Sequence, residues 1–547
     1  KRTASAILAL LLIAALLATG CSNDSNSSAT PQTPTVEKQQ PEPTSSDRTL
    51  YLAVGGEPTD GYDPTLGWGR YGSPLFQSTL LKRDDNLKIV NDLAESYSVS
   101  ENGLTWKVKI RKDALFSDGI PLKAQDVAYT YNTAATSGGR VDITNLKEAL
   151  ATSDYDVEFH LQKAQITFLH KLTTLGIVPK HAHDKNYASH PIGSGPYKFV
   201  RWDQGQQLIV EANPYYYGAK PQIKRLVFLF MSEDAGFAAA KAGEVQVVAV
   251  PQMMAVQKIP GMTIHPVSSV DNRGLMFPML PETGKMSADG YPVGNNVTCD
   301  LSIRQAVNYA IDRQKLVDGV LEGFGSPAFG PVSYMPWEEP GVTIKDNSSD
   351  MARQILKDGG WIDSNGDGIV EKNGLKAEFT IVYPTTDSIR QSLALSVADM
   401  IKNIGVKVDL VGKSWDDIYK VMYSDVILFG WGNLDPTEMY NLYHTSDIGK
   451  GTYNSGFYSN KAVDSYLDSA MSATSEKDAV PYWQAAQWDH KGTGFTTPGD
   501  AAWAWLVNLT HTYFVSDCLD VGQSRIEPHG HGWPLTANID EWKWVCK

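Results

Sequence analysis

Cysteine is scarce in this 547-residue chain: Cys21, Cys299, Cys518 and Cys546 are the only four. No CxxC pair occurs, so neither a zinc ribbon nor a dithiol redox pair is supported. Dense Lys/Arg runs are missing, and a formal charge of −14 repels a polyanion, which argues against nucleic acid as a partner. There is no His-Glu-x-x-His and no Gly-x-Ser-x-Gly, and nothing pairs a nucleophile with a base. A secreted metal-dependent hydrolase is thereby disfavoured, and the chain reads as a non-enzyme that requires no cofactor. After the first twenty residues no second long apolar run follows. With 42% hydrophobic residues, the remainder reads as a soluble body long enough for two or three packed lobes.

What is present begins with Lys1 and Arg2, followed by an almost unbroken apolar run from Ile7 to Leu17. Such a run of about 11 residues falls short of the roughly 20 that span a bilayer. Residues 1–20 therefore read as a signal peptide. Ala18-Thr19-Gly20-Cys21 resembles a bacterial lipobox, in which the cysteine thiol receives a diacylglyceryl group; Ala18 stands where leucine is usual. Residues 21–48 are rich in Ser, Asn, Thr, Pro, Gln and Glu, and too poor in aliphatic residues to offset the entropy of ordering them. The expectation is lipidation at Cys21, a solvated tether, and contact with the membrane through the lipid alone. That places the protein on the extracellular face of the cell membrane, or in the periplasm of a two-membrane bacterium.

Further along, periodicity alternates between strand and helix. Thr105 to Ile110 alternates as a half-buried strand, and Leu226 to Phe230 reads as a buried one. Ile303 to Leu321 carries apolar residues at helical spacing, with Asp300 placed to cap its start and Gly323 beyond its end. Leu393 to Ile404 repeats the helical pattern, and Val406 to Val411 follows as a strand. Helix-then-strand units with short loops indicate an α/β fold.

Several blocks resemble the extracellular solute-binding family 5, the peptide- and nickel-type binding proteins of ABC importers. They are Trp106 to Arg111, Phe116-Ser117-Asp118-Gly119, Ala124 to Val127, Gly193 to Phe199, Asn213 to Tyr217, Ile303 to Arg313 and Gly359-Gly360-Trp361. The resemblance implies a two-lobed periplasmic-binding-protein-like fold of class II type, with an extra subdomain inserted in the first lobe. Carried over, lobe I comprises 49–268 with the insertion near 89–189, lobe II 269–496, and 497–547 returns to lobe I. It also implies a monomer that captures ligand by hinge closure and delivers it to an ABC permease and ATPase. A surface peptide receptor that signals without transport would show the same capture chemistry.

The ligand is narrowed by Phe429-Gly430-Trp431-Gly432-Asn433-Leu434-Asp435-Pro436. Peptide-binding branches of the family place an amine-pairing aspartate in this segment. Here only the aspartate before proline is present, which resembles the nickel-type branch. A nickel chelate such as nickel–histidine is therefore the expected cargo, with a short peptide as the alternative. His444 lies near the position where that branch places a metal-binding imidazole. Lys180 and His181 fall near its chelator-gripping arginine. Trp68, Tyr71 and Trp431 are candidate aromatic walls. His529 and His531, with His511 upstream and Glu527 or Asp540 nearby, form a candidate metal cluster, although two histidines on one loop are half a tetrahedral site. Asp363, Asn365 and Asp367 match the front of a calcium loop, yet Gly374 stands where the bidentate glutamate belongs. Cys518 and Cys546 are candidates for one disulfide.

Overall fold

The computed structural model describes residues 48–71, 75–530 and 533–546. Cys21, the signal-peptide stretch, nearly all of the expected tether and His531 lie outside the described residues. Among the described residues no helix is long and apolar enough to cross a membrane.

Two long antiparallel strands organise an eleven-stranded sheet: Met262–Met276 and Trp503–Ser516 pair from Met262↔Ser516 to Met276↔Trp503. Along Asn272–Met276 the sheet continues with Val426–Trp431, then Glu378–Pro384 and Lys407–Lys413. The opposite end of Trp503–Ser516 pairs with Val247–Val250, followed by Thr49–Ala53, Arg225–Leu229, Gln207–Ala212 and Tyr197–Asp203. Separate apolar cores serve the two halves, one around Ile303, Leu393 and Val426, the other around Leu52, Phe228 and Trp533. The fold is thus mixed α/β with two lobes, and the long pair is shared by both. Stretch 89–189 carries a sheet of its own, in the order Ala94–Val99, Thr105–Ile110, Asp156–Leu161, Leu146–Ala151, with helix Ala124–Thr136 against it.

Local chemistry accounts for these elements. Thr105–Ile110 buries every second residue, with Trp106 and Ile110 at most 1% exposed. The turn at Phe116-Ser117-Asp118-Gly119 closes because Asp118 Oδ1 accepts the Ile120 N–H at 3.0 Å and Gly119 takes φ +87°. The helical pattern from 303 to 321 is interrupted, which corrects the expected single helix. Leu301–Ala310 starts on the Asp300 cap, and Arg313–Val320 starts afresh on Asp312, whose Oδ1 accepts the Lys315 N–H at 3.0 Å. The break turns Arg313 into the protein. Its guanidinium, fully buried, donates to the Ala328, Trp505 and Asn308 carbonyls and pairs with Asp346 at 2.7 Å. Apolar spacing carries no record of such a requirement, because the interruption serves a buried charge.

At the C-terminus Cys518 and Cys546 are joined by a disulfide, with Cα atoms 4.8 Å apart and a sequence separation of 28. The enclosed segment packs Trp533, Ile539 and Trp542 into the first lobe. Closing a loop of this length restricts the unfolded chain by about 3–4 kcal/mol at 25 °C. The double substitution Cys518→Ser, Cys546→Ser is expected to lower the unfolding free energy by about that amount in urea titration. A loss under about 1 kcal/mol would mean that the strands alone hold the segment ends.

Candidate functional site

Where the two long strands pass from one lobe to the other, their register shifts between Ser268 and Asn272, leaving a bulge. Its backbone is tied down locally. Ser269 Oγ donates to the Leu509 carbonyl at 2.6 Å, the Val270 N–H to the Glu527 carbonyl at 2.8 Å, and the Glu527 N–H to the Ser268 carbonyl at 2.9 Å. Gly432 passes so close that a Cβ there would meet the Val270 carbonyl oxygen at 2.3 Å; its φ is +143°.

The bulge delivers Asp271 into the interior, 2% exposed. One carboxylate oxygen bonds His529 Nδ1 at 2.6 Å and also takes Arg273; the other bonds His511 Nε2 at 3.1 Å. His511 Nδ1 in turn bonds Glu527 Oε2 at 2.6 Å, and the Tyr513 hydroxyl donates to the same oxygen at 2.8 Å. Burial opposes the charge of His511, but hydrogen bonds to Asp271 and Glu527 prevail and push its pKa up to about 9. Burial dominates at His529 and lowers its pKa, so this imidazole is neutral and donates from Nδ1. Asp271 is held well below the usual carboxylate range, against burial, by the Arg273 and His529 neighbours. Arg390 lies beside this group, its pKa lowered to about 10 by burial and by the like charge of Arg273, and it pairs with Asp387 at 2.6 Å.

Next to this cluster is a cavity. Its wall is drawn from Arg70, Tyr71 and the stretch from Gln77 to Asp92, from His170, Thr173 and Thr174, from Pro196 and Tyr216, from Asn433-Leu434-Asp435, and from C-terminal residues between Arg525 and Glu541. Direct contacts close the second of these over the fourth. Lys171 Nζ meets Asp435 Oδ2 at 2.7 Å, and Arg83 Nη2 donates to the Leu434 carbonyl at 2.6 Å and to His170 Nδ1 at 2.7 Å. Since arginine can only donate, His170 carries its proton on Nε2, which reaches Glu476 at 3.1 Å. Burial would raise the Asp435 pKa, but the Lys171 ammonium, with hydrogen bonds from Lys171 and Thr437, holds it below the usual range. Farther along the same helix start, Glu438 faces the Gly432 N–H at 3.4 Å, and burial pushes its carboxyl up to about 8.

The structure gathers few of the residues singled out from sequence. Tyr71 is on the cavity wall, under the Arg70 guanidinium at 4.5 Å and 6.0 Å from the His529 ring. Trp431 is half-buried beside Tyr453 at 5.7 Å, its N–H donating to Asn272 Oδ1; it is not part of that wall. Trp68 belongs instead to the lobe I core, edge-on to Tyr62 at 4.9 Å and Trp533 at 5.3 Å. Lys180 and His181 are exposed, away from the cavity wall, with His181 paired to Asp118 at 2.7 Å. His444 ends helix Thr437–Tyr443, where Nδ1 accepts the Ser446 N–H at 3.0 Å and the ring stacks on Tyr440 at 4.2 Å. His511, His529 and Glu527 do converge, around the Asp271 that sequence reasoning missed. Hydrogen bonds hold them there, and among the described residues no group of three or more His, Cys, Asp or Glu is arranged for a metal. The polar run Ser268-Ser269-Val270-Asp271-Asn272-Arg273 inside a long strand was the available signal. In the candidate calcium loop the oxygens are taken locally. Asp363 accepts the Gly366 and Gly368 N–H groups, Asn365 that of Asp367, and Asp367 pairs with Lys376 at 2.5 Å.

A cavity walled by two lobes that share a pair of crossing strands has the architecture of a solute-binding protein. The chain matches the model of the bacterial extracellular solute-binding proteins, family 5, over residues 88–452, and it belongs to that family. It is 30% identical over 501 residues to Protein XP55 of Streptomyces lividans, covering 88% of each chain. It is 28% identical to the oligopeptide-binding protein AppA of Bacillus subtilis, covering 87% of this chain and 89% of that one. The structure of AppA with a nonapeptide superposes with a TM-score of 0.72 over 91% of this chain and 99% of that chain. NikZ of Campylobacter jejuni, solved with Ni(L-His), superposes with a TM-score of 0.76 at 25% identity, over 90% of this chain and 99% of that chain. The family is one of extracellular or periplasmic substrate-binding proteins of ABC importers, and its members are not enzymes.

The raised pKa of His511 gives a stability signature. Its contribution is fully present below the ordinary value of about 6.5 and is lost as pH rises through about 9. Thermal unfolding from pH 6 to pH 9.5 is expected to show the protein losing its advantage over a His511→Gln variant across this window. Parallel curves for the two would show that His511 is not held as a cation.

Proposed function

We propose that this chain is the substrate-binding protein of an importer for short peptides, closing its two lobes over a zwitterionic ligand. The observation that carries the reading is the mixed charge of the cavity wall. Arg70 lines it with no carboxylate within ion-pair distance among the described residues, while Asp92, Asp540 and Glu541 line it as well. The likeness to AppA, solved with a nonapeptide, supports this class of cargo. Cys21 as lipid anchor, a monomeric state and delivery to a permease–ATPase pair complete the proposal.

A nickel chelate is the second reading, favoured by the likeness to NikZ. The residues first associated with it, Lys180, His181 and His444, lie off the cavity wall, so the peptide reading takes precedence over the order drawn from sequence.

Arg70 is the proposed receiver of the ligand carboxylate. Calorimetric titration of the full chain with a di- to pentapeptide pool, and separately with nickel plus excess L-histidine, discriminates the two cargoes. Binding of the pool is expected, with Arg70→Gln weakening it about 10- to 100-fold, as loss of a charge-assisted hydrogen bond requires. Binding of nickel–histidine alone would replace the peptide reading with the chelate one.

A further inference from the structure

The cavity wall carries two residues with hydrogen-bond acceptors that the protein leaves without donors. Gln77 is 1% exposed; its Nε2 is spent on the Tyr62 carbonyl and the Tyr187 hydroxyl, each at 3.1 Å, and its Oε1 has no partner. Glu527 is 3% exposed, with Oε2 bonded to His511 and Tyr513 and Oε1 without a partner. Both residues line the cavity. Buried acceptors of this kind are costly unless something supplies a donor.

Two carboxylates share that wall. Asp92 takes the Tyr217 hydroxyl at 2.8 Å, and its only ion pair among the described residues is a loose one, 3.9 Å to a Lys82 that is itself half exposed. Asp540 forms no ion pair among the described residues, shares a hydrogen bond with Tyr216, and lies near enough to Asp92 to make that acid harder to ionise. Burial works in the same direction on Asp92. Of the other wall cations, Arg70 is the one assigned above to the ligand carboxylate, and Arg83 and Arg525 are committed elsewhere. Arg83 serves Leu87, His170 and Leu434, and Arg525 serves Asp85 and the Arg83 carbonyl. Tyr216, 8% exposed, lines the cavity near Asp92 and Asp540 and adds an aromatic ring to their surroundings.

We propose that this cavity wall, through Asp92, Asp540 and Tyr216 with the open acceptors of Gln77 and Glu527, receives a cationic side chain, so that the preferred cargo is a short peptide containing lysine or arginine. An ammonium brings three N–H donors and a guanidinium five, into a place that has acceptors in surplus and negative charge in excess. The inference rests on the peptide reading and adds its side-chain preference.

The test is calorimetry on the full chain at pH 7 with trialanine and with Lys-Ala-Ala, Ala-Lys-Ala and Ala-Ala-Lys. At least one lysine peptide is expected to bind about tenfold or more tightly than trialanine. In Asp540→Asn that ratio is expected to fall to within about twofold of one. In Asp540→Lys, checked for folding by its thermal transition, the preference should move to Ala-Glu-Ala. Equal binding of all four peptides by the native protein overturns the inference and leaves the peptide reading intact. A lysine preference that survives both Asp540→Asn and Asp92→Asn overturns it too. No peptide binding at all, alongside binding of nickel–histidine, removes the peptide reading and this inference with it.

Discussion

The Asp271 carboxylate, received by two imidazoles and a guanidinium inside the strand bulge, is the interaction on which the arrangement depends. A buried anion is tolerable only when its lone pairs are fully engaged, and here each partner comes from a different part of the chain. Arg273 follows it in the same strand, His511 lies on the second crossing strand, and His529 belongs to the C-terminal segment. The cluster therefore fixes three segments at the one place where both lobes share backbone. Glu527 extends the network to the cavity wall, so the same residues that shape the hinge also shape the ligand's surroundings.

Closure is written in a second set of contacts, more exposed to rearrangement than the first. Lys171 with Asp435, Arg83 with the Leu434 carbonyl, and His170 with Glu476 bind the inserted stretch to lobe II over the cavity. Beneath these pairs one apolar cluster runs from Trp106, Phe168 and Leu172 of that stretch to Trp337, Tyr443 and Trp483 of the second lobe, so burial as well as charge joins them.

Much of the fold was legible in the sequence because it rests on periodicity and turn chemistry. The alternation of Thr105 to Ile110, the cap at Asp300 and the Asp118-Gly119 turn each have local causes. The split at Asp312 was not legible, since it exists for the buried Arg313, whose partners Ala328, Asp346 and Trp505 are distant in sequence. The site was legible only in part. Tyr71 and the histidine-rich tail drew notice by residue type, whereas Gln77, Asp92 and Asp271 are ordinary residues made significant by convergence. Trp68, conspicuous as an aromatic, turned out to be packing, and His444, conspicuous as an imidazole, to be a helix terminus.

The disulfide has a meaning for how this family member can diversify. Arg525 to Glu541, a large share of the cavity wall, lies wholly between Cys518 and Cys546. The segment cannot vary as a block, because His529 is bonded to Asp271, Glu527 to His511 and Tyr513, and Trp533 and Trp542 are packed in the core. Wall positions outside that set, Ala537, Asp540 and Glu541 among them, are where a new cargo can be fitted while the disulfide keeps their frame in place.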